Sequence, residues 1–151
     1  MGVAGAGKST LGAALAARLG WRFMDADDHH PAQNVAKMAA GIPLGDEDRW
    51  PWLDQLNTML AGEKNVVLAC SALKDSYRRR LLAGIGPSRI VYLQGSFELI
   101  AARLATRRHR YMPASLLESQ FAALEPPAGA IAIDIAAEPG RCVDAIVQAL
   151  R

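Results

Sequence analysis

A chain of 151 residues and 16.2 kDa suits one compact domain and leaves little room for a second, and with 51% of its residues apolar it can bury a sizeable core. Its formal net charge of +2 is too small to argue for a nucleic-acid partner. No apolar run approaches the roughly 18 residues that would span a bilayer, and the amino end runs at once into glycines rather than a secretory leader, so the cytoplasm is the expected location.

Gly2-Val3-Ala4-Gly5-Ala6-Gly7-Lys8-Ser9 fits the pattern G-x-x-x-x-G-K-[ST]. Glycines let successive backbone N–H groups curl around phosphates; Lys8 brings a charge to the β/γ-phosphates, and the Ser9 hydroxyl can ligate Mg²⁺. A helix predicted over Lys8 to Leu19, with Leu11, Leu15 and Leu19 on one face and Gly20 as its stop, aims its positive end at the same anion. Gly2 to Thr10 is therefore the expected nucleotide site. Such a loop is expected to follow a central parallel strand, yet only Met1 precedes it. Either that strand is a stub or the natural chain begins further upstream.

Further on, short apolar runs alternate with helix-period segments, the pattern of a parallel sheet covered by helices. Strands are predicted at Trp21–Asp25, Asn65–Cys70, Arg89–Gln94 and Ala130–Ile135, the last three as continuous apolar runs suited to burial on both faces. Helices are predicted over Pro31–Ala40, Asp48–Ala61, Leu73–Ala83, Ser96 to about Arg107, Ala114–Leu124 and Pro139–Leu150. Cys70 and Cys142 lack metal-ligand spacing and read as small buried hydrophobes, with no disulfide implied.

Acidic residues gather where the Trp21–Asp25 strand ends, in Asp25-Ala26-Asp27-Asp28. The carboxyl edge of an open parallel sheet is where ligands bind. Phosphoryl transfer to an alcohol needs a group that orients the hydroxyl and accepts its proton, and another that holds the metal's water shell; Asp25 and Asp27, two positions apart, can face one side and do both. The bland reading is a solvated acidic turn, which suits Asp28. His29 and His30 have no Cys or His partner at zinc spacing. Trp50 and Trp52 read best as anchors of their helix on the sheet, and Trp21 as packing at the base of its strand.

Together these segments resemble the gluconokinases, thermoresistant type, of the shikimate-kinase and nucleoside-monophosphate-kinase class. The likeness is carried by Gly2–Thr10, Asp25-Ala26-Asp27-Asp28-His29-His30-Pro31, Asn34 with Lys37-Met38, Gly41-Ile42-Pro43-Leu44 and Asp46-Glu47-Asp48-Arg49. Pro51-Trp52-Leu53, Cys70-Ser71-Ala72-Leu73-Lys74 with Tyr77-Arg78, and Ser119-Gln120-Phe121 with Leu124-Glu125-Pro126 extend it to about Pro127. The resemblance implies a three-layer α/β P-loop kinase fold with a five-stranded parallel sheet in the order 2-3-1-4-5, its first strand truncated here. It implies a single domain over 1–151 with an acceptor-binding helical region at about 28–62 and a lid at about 107–114. It also implies transfer of phosphate from ATP to D-gluconate with Mg²⁺, and a possible homodimer. Carried over by position, Asp27 would hold the acceptor hydroxyl and act as or orient the base, Asp25 would sit near the metal's waters, and His30 and Arg49 would line the acceptor pocket. Ser71 and Lys74, after the Asn65–Cys70 strand, are expected at the same edge. Arg49 suits a carboxylate by its bidentate fork; its bland alternative is an ion pair with Asp46 or Asp48.

Arg103, Arg107, Arg108, His109 and Arg110 precede Tyr111-Met112-Pro113 and suit a lid that folds over ATP, with Arg103 and Arg107 the best matches to catalytic arginines. Arg110 stands where the resembled lids carry histidine. Two other readings stay open at this point: the same chemistry on shikimate or another sugar acid, and a nucleotide-binding module without catalysis.

Overall fold

A computed structural model describes residues 1–106 and 114–151, the Ala114 side chain excepted. The expected lid residues Arg107, Arg108, His109 and Arg110 lie outside the described residues.

The helix that follows the glycine loop is α1, Lys8–Leu19, closed by Gly20, which takes the left-handed conformation and donates its N–H to Ala16 and Ala17. The first strand, β1, is Arg22–Asp25. A 3-10 turn over Ala26–His29, which the sequence pattern did not announce, follows it because the Asp25 carboxylate accepts the Asp27 N–H at 3.0 Å. Helices α2 (Ala32–Ala39) and α3 (Asp46–Ala61) come next, then β2 (Val66–Ala69). The helix expected from Leu73 starts only at Asp75, as α4 (Asp75–Leu81). Ala72 takes a positive φ of 42°, and the buried Arg78 guanidinium bonds the Ala72 and Leu73 carbonyls at 2.9 and 3.0 Å, so this stretch cannot join the helix. Strand β3 (Val91–Gln94) leads to α5 (Phe97–Ala105), whose first turn is capped by Ser96 Oγ accepting the Leu99 N–H. Helix α6 (Ala114–Ala123), β4 (Ile131–Asp134) and α7 (Pro139–Ala149) complete the order.

Both strand pairs are parallel: β1 with β2 from Arg22↔Val66 to Asp25↔Ala69, and β3 with β4 from Val91↔Ile131 to Gln94↔Asp134. They form two separate two-stranded sheets rather than one continuous five-stranded sheet. Met1 lies between them. Its nitrogen donates to Val91 O at 2.5 Å and its carbonyl accepts the Leu93 N–H at 2.9 Å, the bracket that one residue of a parallel strand makes around its neighbour, here Tyr92. On its other side Gly2 N–H donates to Ser71 O at 3.3 Å. Below this single residue of pairing opens a cleft of about 640 Å³, walled by Val66, Val67 and Leu68 on one side and by Ile90, Val91 and Leu93 on the other.

The hydrophobic core divides along the same line. One cluster joins Leu11, Leu15, Leu93, Ile100, Ile133 and Ile146 around α1, α7 and the β3–β4 pair. The other gathers Met24, Trp52, Leu53, Leu56, Leu60 and Leu81 where α3 and α4 meet the β1–β2 pair. Strands expected to be buried on both faces are accordingly half-buried at Val66, Val67, Leu68 and Val91. Trp21, expected to pack at the base of its strand, is 39% exposed at the mouth of the cleft. Both cysteines are buried as expected, and burial pushes the Cys70 thiol up to about 11. Among the described residues no helix is long and apolar enough to cross a membrane.

Candidate active site

Parallel pairing points the carboxyl ends of β1 and β2 to one edge, and those of β3 and β4 likewise. The glycine loop meets both: Gly2 bonds Ser71 beyond β2, and its Cα lies so close to β3 that an added Cβ would stand 3.0 Å from Leu93 O. Gly5 and Gly7 take φ of 80° and 90°, turning the chain so that it wraps the start of α1. The loop packs on α5; a Cβ at Gly5 would come within 2.8 Å of Leu104 and 3.0 Å of Ile100. Lys8 arches back so that Nζ donates to Val3 O at 3.0 Å, and Gln120 of α6 accepts the Ala4 N–H at 2.7 Å.

The two acids predicted beside this loop are found there. Ser9 Oγ donates to one oxygen of Asp25, while the other oxygen holds the Asp27 N–H at 3.0 Å. Asp27 in turn lies 3.6 Å from Nε2 of His30. The His30 ring is buried and stacked on Trp52, with centroids 4.0 Å apart and planes inclined by 15°. Trp52 Nε1–H donates to Ala26 O at 2.9 Å, which ties α3 to the turn carrying the acids.

A second group assembles around Tyr77. Asp46 accepts from the Tyr77 hydroxyl at 2.5 Å and from Lys74 Nζ at 3.0 Å. Arg49 Cζ and Lys74 Nζ stand 5.2 and 5.3 Å from the Tyr77 ring centroid, and Trp50 meets the same ring edge-on. The Tyr77 hydrogen bond, and then that of Lys74, hold the Asp46 carboxyl below its ordinary range; burial, and then the bond to Asp46, push the Tyr77 phenol up. Arg49 forms no ion pair among the described residues; its Nε donates to Leu44 O at 3.4 Å. Asp48, offered as its alternative partner, is taken by Lys37 at 2.6 Å and by the Gly45 N–H at 3.0 Å, which hold its carboxyl below the ordinary range. Arg49 thus keeps its fork for something else.

Arg103 Nη2 donates to Ile135 O at 2.5 Å, beyond β4. Asp134 caps the turn that follows β4 by accepting the Ala136 N–H. Sequence reasoning gave no role to Gln120, which braces the glycine loop, to Arg78, which shapes the Ser71–Lys74 segment, or to Tyr77 and Asn34, and it offered Asp46 only as an ion-pair partner for Arg49, where the structure gives it Lys74 and Tyr77. Apart from Arg78, which reaches back only five and six residues, they act through contacts across 14 to 116 residues of chain, which spacing does not encode. No group of three or more His, Cys, Asp or Glu side chains suited to holding a metal occurs among the described residues. The oxygen pair of Ser9 and Asp25 fits a hard cation that keeps most of its own waters.

A glycine loop opening a helix, parallel strands on either side of it and acids at a strand's carboxyl end define a P-loop kinase. The shikimate kinase family profile matches residues 4–123. A probable gluconokinase of Mus musculus is 48% identical, with 84% of this chain and 80% of that protein covered. The thermosensitive gluconokinase of Escherichia coli (strain K12) is 45% identical, with 84% of this chain and 70% of that protein covered. The crystal structure of a gluconokinase from Sinorhizobium meliloti 1021 superposes with a TM-score of 0.93 at 42% identity, covering 99% of this chain and 88% of that one. The chain belongs to the gluconokinase family.

Gly5→Ala combines a left-handed φ with a clash against Leu104, so it is expected to destabilise the fold by about 1–3 kcal/mol, read as a lower urea midpoint. An unchanged midpoint would show that the loop does not depend on its packing against α5.

Proposed function

We propose that this chain transfers the γ-phosphoryl group of ATP to D-gluconate, releasing ADP and 6-phospho-D-gluconate. The observation that carries the reading is the bridge from Ser9 through Asp25 to Asp27, which sets an acid suited to an acceptor hydroxyl beside the glycine loop. Family membership supports the acceptor, and the uncommitted Arg49 fork supports a carboxylate on it.

In this reading Gly2, Val3, Ala4, Gly5, Ala6, Gly7, Lys8, Ser9 and Thr10 form the nucleotide site, backbone amides and the Lys8 ammonium holding the phosphates. Ser9 Oγ, and Asp25 through water, would hold Mg²⁺, which supplies positive charge against the phosphate oxygens. Asp27 orients the acceptor hydroxyl and takes its proton as the oxygen attacks phosphorus and the bond to the ADP oxygen breaks. Arg49 and Lys74 meet the acceptor carboxylate, with His30 and Ser71 along the same pocket. Arg103 and Arg107 offset charge on the transferred group. The enzyme is a single domain, with acceptor helices at about 28–62 and a lid at about 107–114. It acts in the cytoplasm on a small molecule, without nucleic acid or membrane, with a homodimer as a possible assembly.

The sheet belongs to the same proposal. A strand leading into Met1 would fill the cleft between β2 and β3 and join the two pairs into five strands in the order 2-3-1-4-5, counting that strand as the first. The apolar cleft walls and the bracket Met1 makes around Tyr92 support it.

Asp27→Asn is expected to lower kcat by about 10²–10⁴-fold in a coupled ADP-release assay, with ATP affinity nearly unchanged; full turnover would remove Asp27 from the chemistry. Arg49→Met should raise the KM for gluconate about tenfold to hundredfold, the worth of a charged hydrogen bond, while kcat changes little. If an acceptor screen found turnover only with a different polyol acid, the chemistry would stand and the substrate would not. Adding about five extended apolar residues ahead of Met1 should raise the melting temperature by several degrees. Equal melting would refute the filled-cleft sheet.

A further inference from the structure

Asn34 is fully buried near the start of α2, yet its Oδ1 is the one buried side-chain polar atom among the described residues with no hydrogen-bond partner. An amide placed there at the expense of an orphaned acceptor calls for a reason at its other end. Its Nδ2 donates to the backbone carbonyl of Asp48 at 2.9 Å and reaches His30 Nδ1 at 3.4 Å. Turning the amide over would set Oδ1 against the Asp48 carbonyl, acceptor against acceptor, so Asp48 fixes which way the amide lies.

That orientation has a consequence two bonds away. An amide that offers N–H to Nδ1 makes Nδ1 the acceptor of the imidazole, and the ring hydrogen must then sit on Nε2. Nε2 is the nitrogen 3.6 Å from the Asp27 carboxylate. The stack on Trp52, itself pinned to Ala26 O, holds the plane of the ring, and flipping the ring within that plane would take Nδ1 away from the Asn34 amide. We infer that Asn34 is a positioning residue for phosphoryl transfer: it locks His30 as the Nε2–H tautomer and so steers the Asp27 carboxylate toward the acceptor hydroxyl. The same side chain, through Asp48, ties this end of the pocket to the residue next to Arg49, so both ends of the acceptor are registered by one buried amide. The inference rests on the proposed role of Asp27.

The test uses the full chain with ¹⁵N-labelled histidine. Long-range ¹H–¹⁵N correlation should show the His30 hydrogen on Nε2 in the unaltered protein; a hydrogen on Nδ1 overturns the inference without any variant. Asn34→Asp, equal in shape, presents an acceptor to Nδ1 and should draw the hydrogen there. With it kcat should fall about 10²-fold, as for a slightly misplaced catalytic group, while the KM for gluconate and the affinity for ATP stay within a few-fold. In an Asp27→Asn background the same change should cost nothing further. Asn34→Asp with full kcat, or with a loss confined to KM, overturns the positioning role. If Asp27→Asn alone is fully active, the role of Asp27 fails first, whatever the tautomer. Trp52→Phe keeps the stack and loses the bond to Ala26, and serves where Asn34→Asp does not fold: a loosened ring with unchanged kcat would equally sink the idea.

Discussion

The Asp25 carboxylate is the joint on which the site depends. One of its oxygens takes the hydroxyl of Ser9, in the first turn after the glycine loop, and the other takes the backbone N–H of Asp27. A single rigid group at the end of β1 thereby relates the turn after the glycine loop to Asp27, the acid proposed to serve the acceptor. Two elements sixteen residues apart are held by it to within a hydrogen bond, which is the scale of registration that proximity in catalysis requires. The parallel pairing of β1 with β2 then brings the Ser71–Lys74 segment to the same edge.

Around that joint the α2–α4 side is organised by polar contacts, some local and some between separate elements. Asp46 gathers Tyr77 and Lys74, Asp48 gathers Lys37 and the Gly45 N–H, and Arg78 gathers the carbonyls of Ala72 and Leu73. Each acidic group is satisfied by a neighbour other than Arg49, so the guanidinium stays uncommitted beside the Tyr77 ring. Carboxylates held below their ordinary range by such bonds remain charged near neutrality, and they keep the cations around them ordered. An apolar pocket wall could not do this.

The split sheet has the opposite character. Met1 supplies one residue of parallel pairing where the β3 edge offers more, and the walls of the cleft below it are aliphatic. Apolar side chains left half-buried forgo the stabilisation that full burial gives, about 25 cal/mol per Å². The divided core records the same gap: α1 serves both sheets, yet the two clusters of buried residues stay separate.

Local chemistry was legible in the sequence. Gly5 and Gly7 announce positive φ, Lys8 and Ser9 announce the start of α1, and Asp25-Ala26-Asp27 announces acids at the carboxyl end of a strand, because each signal depends on residues within one turn or strand. Among the described residues, the four strand segments and the seven α-helices could be read the same way, from period and stop residues. The start of α4 could not, since it is set by Arg78 reaching back under Ala72, nor could the brace of Gln120 on the loop or the exposure of Trp21. Least legible was the junction of Asn34, His30 and Trp52, where the tautomer of a ring follows from a carbonyl fourteen residues beyond the amide that bonds it. Sequence by itself fixed which groups could do chemistry. Only the tertiary structure decided which of them touch, because hydrogen bonds and stacking act over a few ångströms and those distances are set by packing between elements far apart in the chain.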